Sequence, residues 1–121
     1  MGMYEVSVKG TFSAAHQLLG HDGACKDLHG HNWTVEAVFG SGSLDEIGMV
    51  VDFYHVKTEM DRLIAMLDHK ILNEAAPFVD TNPTAESLAE FFYNGLKTSL
   101  KVKPVLVKVF ETDNTWASYR E

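Results

Sequence analysis

Apolar and polar residues alternate along residues 4–16. Val6, Val8, Phe12, Ala14 and His16 share one parity, and Glu5, Ser7, Lys9, Thr11 and Ser13 share the other. Successive strand side chains point to opposite faces, so this is the pattern of a half-buried β-strand, and Gly10 within it predicts a bulge. His16 falls on the apolar parity and is expected to point inward. Residues 17–28 lose the alternation and read as a loop rich in Gly, His, Asp and Lys that carries Cys25. Alternation resumes at His29, with His31, Trp33, Val35, Ala37 and Phe39 on one side and Asn32, Thr34 and Glu36 on the other. Gly40-Ser41-Gly42-Ser43 then predicts a flexible turn, and Gly48–Val51 a short extended piece.

The period changes after Asp52, a good N-cap. Phe53, Val56, Met60, Leu63, Ile64 and Leu67 recur at spacings of three and four, which predicts an amphipathic helix of about four turns ending near Asp68-His69. Residues 70–83, with Pro77 and Pro83, read as an irregular link. Asn82-Pro83-Thr84 predicts a second helix start, with Asn82 or Thr84 as cap and Pro83 in the first turn. Leu88, Phe91, Phe92 and Leu96 form its apolar stripe, which ends before Lys101. Pro104 introduces a strand whose apolar parity runs through Val105, Val107 and Val109 and continues to Glu111. Asp113-Asn114-Thr115 turns the chain into a short last strand, Trp116 to Tyr119. The expected order is ββααββ, an α+β arrangement, with residues 1–121 as one domain.

Composition narrows the function classes. The chain has 121 residues, 45% hydrophobic and 22% charged, with a formal charge of −7. Those values suit a soluble globular protein and offer no basic footprint for nucleic acid or an anionic membrane. One cysteine forms no internal disulfide, and Met1 to Glu5 lack the character of a signal peptide. A cytoplasmic protein without a membrane span is expected.

Candidate chemistry lies on the apolar parities. A His-x-His pair, His29 and His31, with the distant His16 is a usual way to give Zn²⁺ three nitrogens and leave a fourth position open. His21 and His55 are expected to face solvent. Cys25 has three readings: a fourth ligand that would make the zinc structural, a free thiol acting as base or nucleophile, or an inert loop residue. His69 is either a helix-end residue at the macrodipole or, oriented by Asp68, a general acid or base. Glu111 either continues an apolar face and needs a partner, such as a ring with paired N–H donors, or stands just past the buried part of its strand.

Several ordered motifs resemble those of the 6-pyruvoyl-tetrahydropterin synthase family. They are Phe12-Ser13-Ala14-Ala15-His16, Cys25 to His31 as C-x3-H-G-H, and Gly48-Met49-Val50-Val51-Asp52-Phe53. Leu67-Asp68-His69, Asn82-Pro83-Thr84-Ala85-Glu86 and Glu111 extend the likeness over nearly the whole chain. The cysteine spacing is similar to that of the branch making 6-carboxy-5,6,7,8-tetrahydropterin for queuosine and other deazapurines.

The resemblance implies the tunnelling fold, a four-stranded antiparallel sheet with two helices inserted between strand pairs. Three copies would close a barrel, and two trimers would stack as a homohexamer with sites at subunit interfaces. It further implies zinc on His16, His29 and His31, Cys25 as catalytic thiol, and Asp68 with His69 as its partner dyad. Glu111 would anchor the pterin ring, helped by Thr84 and Glu86 from a neighbouring copy. The implied substrate is a small pterin triphosphate, 7,8-dihydroneopterin triphosphate, for which Lys26 and Arg120 are candidate cations. Alternatives are a pyruvoyl-forming synthase or a side-chain aldolase on the same scaffold, or a non-enzymatic zinc-stabilised ligand-binding module.

Overall fold

β1 (Tyr4–His16) and β2 (His29–Ser41) pair antiparallel in unbroken register from Tyr4↔Ser41 to His16↔His29. The alternation thus survives intact into the structure, a computed structural model that describes residues 2–121. The expected bulge at Gly10 is absent, because Gly10 sits opposite Val35 within a continuous ladder. Close packing explains the glycine instead: a Cβ there would lie 2.7 Å from Ile64 Cδ1 and 2.9 Å from Met60 Sδ.

β4 (Leu106–Thr112) joins β2, and β5 (Thr115–Tyr119) joins β4, both antiparallel. The sheet has five strands rather than the expected four, in the order β3-β1-β2-β4-β5. The extra strand, β3 (Lys70–Ile71), lies in the stretch read as an irregular link and runs parallel to β1. Two residues are too few to show a periodicity. The rest of that link holds two 3₁₀ turns, Leu72–Glu74 and Ala76–Phe78. Gly48 to Val51 forms bends, not the extended piece expected.

Two helices cover one face of the sheet. α1 (Phe53–Ala65) begins where Asp52 accepts a hydrogen bond from the Tyr54 N–H at 2.9 Å, and it buries Val56, Met60, Leu63 and Ile64. It is shorter than its apolar stripe: Leu67 is buried in the turn that follows, and Phe53 is 55% exposed instead of joining the core. α2 (Ala85–Ser99) is capped by Thr84, whose Oγ1 accepts from the Ser87 N–H at 3.0 Å. Pro83 therefore precedes the cap and lies outside the first turn. Leu88, Ala89, Phe92, Tyr93 and Leu96 face inward, while Phe91 is only partly buried.

The core between sheet and helices is built from Phe12, Trp33, Val35, Ala37, Phe39, Val107 and Val109 on the sheet side. Each fully buried large apolar side chain contributes about 1.5–3 kcal/mol. The same face of β1 and β2 ends in His16, His29 and His31, so the core leads directly into the polar cluster described next.

Candidate metal centre

Strand pairing brings the three imidazoles together. His16 lies opposite His29 and Ala14 opposite His31, so all three rings leave the same face at one end of the β1–β2 ladder. Their ring centroids are 4.6 Å (His16–His29), 4.8 Å (His29–His31) and 5.4 Å (His16–His31) apart. Trp33 forms the floor, edge-on to His16 at 5.0 Å and to His31 at 5.3 Å. Its indole N–H donates to the Ala14 carbonyl at 3.2 Å. Glu111, entering from β4, completes the group: one ligand atom from each of His16, His29, His31 and Glu111 lies within 4.8 Å of the others.

Two hydrogen bonds fix which nitrogens face inward. His16 Nδ1 is 2.8 Å from the Pro83 carbonyl, and His29 Nδ1 is 2.7 Å from the Asp27 carbonyl. A carbonyl only accepts, so each Nδ1 carries the hydrogen and each Nε2 keeps a lone pair. Backbone carbonyls orient metal-binding histidines in the same way. His16 Nε2 and His31 Nε2 are buried without a hydrogen-bond partner among the described residues. Burial also lowers the pKa of both rings below the ordinary 6.5, chiefly by desolvation, and so favours the neutral form that can ligate. Orphaned, convergent lone pairs beside a carboxylate are what a divalent cation satisfies, and the residues fit a metal site.

Cys25 stands apart from this group. It is a half-buried free thiol in a 3₁₀ turn, Ala24–Lys26, and its carbonyl accepts from the Leu18 N–H at 2.8 Å. Two asparagines hold the entry to its loop. Asn73 bonds both the N–H and the carbonyl of Gln17, and Asn82 does the same for Leu19, all at 2.9 Å. Sequence reasoning missed this role, as well as the carbonyls of Asp27 and Pro83. Asn82 and Thr84 were the two expected cap candidates, and with Thr84 serving as the cap, Asn82 is left for a partner 63 positions away that local spacing does not reveal.

Asp68 and His69 form the expected pair, with His69 Nδ1 3.0 Å from Asp68 Oδ1. Ser13 clamps them: its N–H donates to Asp68 Oδ1 at 2.9 Å, and its carbonyl accepts from the His69 N–H at 2.6 Å. The Ser13 N–H, followed by His69, holds the Asp68 carboxyl below its ordinary pKa, so it stays ionised. His69 has φ 60°, the left-handed conformation that non-glycine residues seldom adopt. Its side chain is 81% exposed. His69 and His31 border one open depression of ≈ 450 Å³, together with Ser13, Asn32 and Lys70. The Asp68–His69 pair and Cys25 are not members of the four-residue ligand group.

The remaining candidates are placed simply. Thr84 caps α2, while Glu86 is exposed in its first turn. Lys26 and Arg120 are exposed, as expected for His21 and His55, which are exposed too.

Comparison with known proteins bears on the family and the fold. The family model described as 6-pyruvoyl tetrahydropterin synthase matches residues 5–121. A protein of Aquifex aeolicus named 6-carboxy-5,6,7,8-tetrahydropterin synthase is 37% identical over 80% of this chain and 76% of its own. A Synechocystis protein of the same name is 35% identical, covering 90% of this chain and 87% of its own. Among solved structures, the 6-pyruvoyl tetrahydropterin synthase of Caenorhabditis elegans superposes with a TM-score of 0.88 at 27% identity, covering 100% of this chain and 97% of the other.

Proposed function

The chain belongs to the 6-pyruvoyl tetrahydropterin synthase family, and we propose that it converts 7,8-dihydroneopterin triphosphate to 6-carboxy-5,6,7,8-tetrahydropterin. Acetaldehyde and triphosphate leave, and one water is consumed. Synthesis of a tetrahydropterin follows from the family and from relatives named for that activity. The carboxy product, zinc as the metal, cytoplasmic location and a role early in queuosine synthesis are the finer parts of the reading. The observation that carries it is the convergence of three imidazoles, two of which, His16 and His31, have buried Nε2 atoms without a hydrogen-bond partner among the described residues.

His16, His29 and His31 would hold the zinc through Nε2. When bound, the ion supplies a Lewis acid that acidifies the side-chain hydroxyls of the substrate. Cys25, as thiolate, takes a proton from the substrate side chain. His69, kept in position by Asp68 and Ser13, returns or relays it. Glu111 accepts paired N–H bonds from the pterin ring, a geometry that favours one face and one register of the ring. Thr84 and Glu86 act on the ring from a neighbouring copy: both belong to the start of α2, where Thr84 is the half-buried cap and Glu86 is exposed.

The exposure of His69 supports sites shared between copies in a homohexamer, a dimer of trimers. Within one chain the pair Asp68–His69 is fixed by Ser13, yet the His69 side chain is mostly open to solvent.

Incubation of the zinc-loaded protein with 7,8-dihydroneopterin triphosphate, followed by mass spectrometry, tests the reading. Acetaldehyde with 6-carboxytetrahydropterin is the expected outcome. A pyruvoyl product or glycolaldehyde would assign the chain to a pyruvoyl-forming synthase or side-chain aldolase. No turnover by fully metal-loaded protein would leave a zinc-stabilised binding module.

A further inference from the structure

The Glu111 carboxylate is in an unusual position for a group whose only task is to receive a pterin ring. β4 passes β2 with Thr34 opposite Phe110, which puts Glu111 one step further along, beside Trp33. From there its Oε2 reaches 3.3 Å from His16 Nε2 and 3.6 Å from His31 Nε2. His16 Nδ1 already carries the hydrogen donated to Pro83, so its Nε2 presents a lone pair. A lone pair facing a carboxylate oxygen at that distance is repulsive unless a proton or a metal cation lies between them, and one metal cation would satisfy the orphaned Nε2 atoms of both His16 and His31.

The distances themselves match a shared cation. Ligands about 2.0–2.1 Å from a tetrahedral ion stand roughly 3.3 Å apart along each edge of the tetrahedron. The two nitrogen–oxygen separations at Glu111 lie on or just beyond that edge, and all four ligand atoms stay within 4.8 Å.

We infer that Glu111 is the fourth ligand of the metal while no pterin is bound. The inference rests on the reading that His16, His29 and His31 hold a metal, and it gives the carboxylate two alternating partners. Without substrate, Glu111 closes the tetrahedron and keeps water off the ion. With substrate, the same oxygens turn to the ring N–H groups and release the fourth position to the substrate's hydroxyls. Metal coordination and ring recognition are thereby coupled through one side chain.

Cobalt(II)-loaded protein tests this without turnover. The visible spectrum of the unchanged protein is expected to stay constant between about pH 6.5 and 9, because no metal-bound water is there to ionise. In Glu111→Gln and Glu111→Ala, water takes the open position, so the spectrum should shift and titrate in that range. Zinc affinity, measured against a chelator, should fall at least about tenfold in both variants. Neopterin, which has no phosphate to eliminate, should shift the spectrum of the unchanged protein towards an oxygen-chelated form.

A titrating spectrum in the unchanged protein overturns the inference, even where the variants fold poorly. Identical spectra and zinc affinities in all three proteins overturn it as well. If neopterin nevertheless binds the variants more weakly, the pterin-anchor reading stands without the ligand role. Failure of the unchanged protein to take up metal at all ends both.

Discussion

His16 has no exposed surface, and its two nitrogens serve different partners: Nδ1 is committed to Pro83, while Nε2 is left for the cluster. Cys25 has no such commitment. Its loop is tied down at Gln17 and Leu19, but the thiol itself is outside the ligand group. That difference favours the free-thiol reading over the structural-ligand one. Cys25→Ala is therefore expected to keep the metal content of the unchanged protein, measured by atomic absorption, while kcat falls by about 10²-fold or more. Loss of metal in step with activity would return Cys25 to the ligand set. The faces of His16, His29 and His31 were readable in the sequence because parity alone decides them. The tautomers were not, since the deciding carbonyl for His16 belongs to Pro83, 67 positions away.

The same division holds for whole elements. β1, β2 and both helices are long enough to repeat their period several times, so tertiary packing had little left to overrule. β3 is two residues long and is defined only by its ladder with Ala14 and Ala15. Glycines show where packing, not turn chemistry, chose the residue. Gly95 lies inside α2, where Ala would favour the helix by about 1 kcal/mol. Its Cβ, however, would stand 2.7 Å from both Cδ1 and Cδ2 of Leu63 on α1. Overpacking of this kind costs typically about 1–3 kcal/mol, so the clash should outweigh the gain and Gly95→Ala should lower the urea midpoint. Leu63→Ala alone should cost about 2–5 kcal/mol. The double variant should then fall short of the sum of the two losses, because the new methyl enters the space that Leu63 vacates. Additive losses would mean that Gly95 is not the contact that sets the spacing of α1 and α2.

On the scale of the whole molecule, the site is divided. The ligand group sits at the end of the β1–β2 ladder with His16 buried and His29, His31 and Glu111 half-buried, whereas His69 is largely exposed at the β3 edge and the sheet remains open. If the dyad of one copy serves the metal centre of another, two crippled chains can repair each other. His29→Ala lacks a ligand but keeps His69; His69→Ala keeps the three imidazoles but lacks the dyad. Each protein alone should be close to inactive. After equal amounts are unfolded and refolded together, a working centre needs a His69→Ala chain as owner and a His29→Ala chain as neighbour. Random assembly in a cyclic oligomer meets that condition at about one site in four, so about a quarter of the unchanged activity should return. Refolding each variant by itself controls for recovery during the procedure. Complementation distinguishes shared from self-contained sites because no chain in the mixture carries both intact halves. Activity that stays at the level of the separate variants, in mixtures shown by mass spectrometry to contain hybrid oligomers, would place the dyad and the metal centre within one chain's own site.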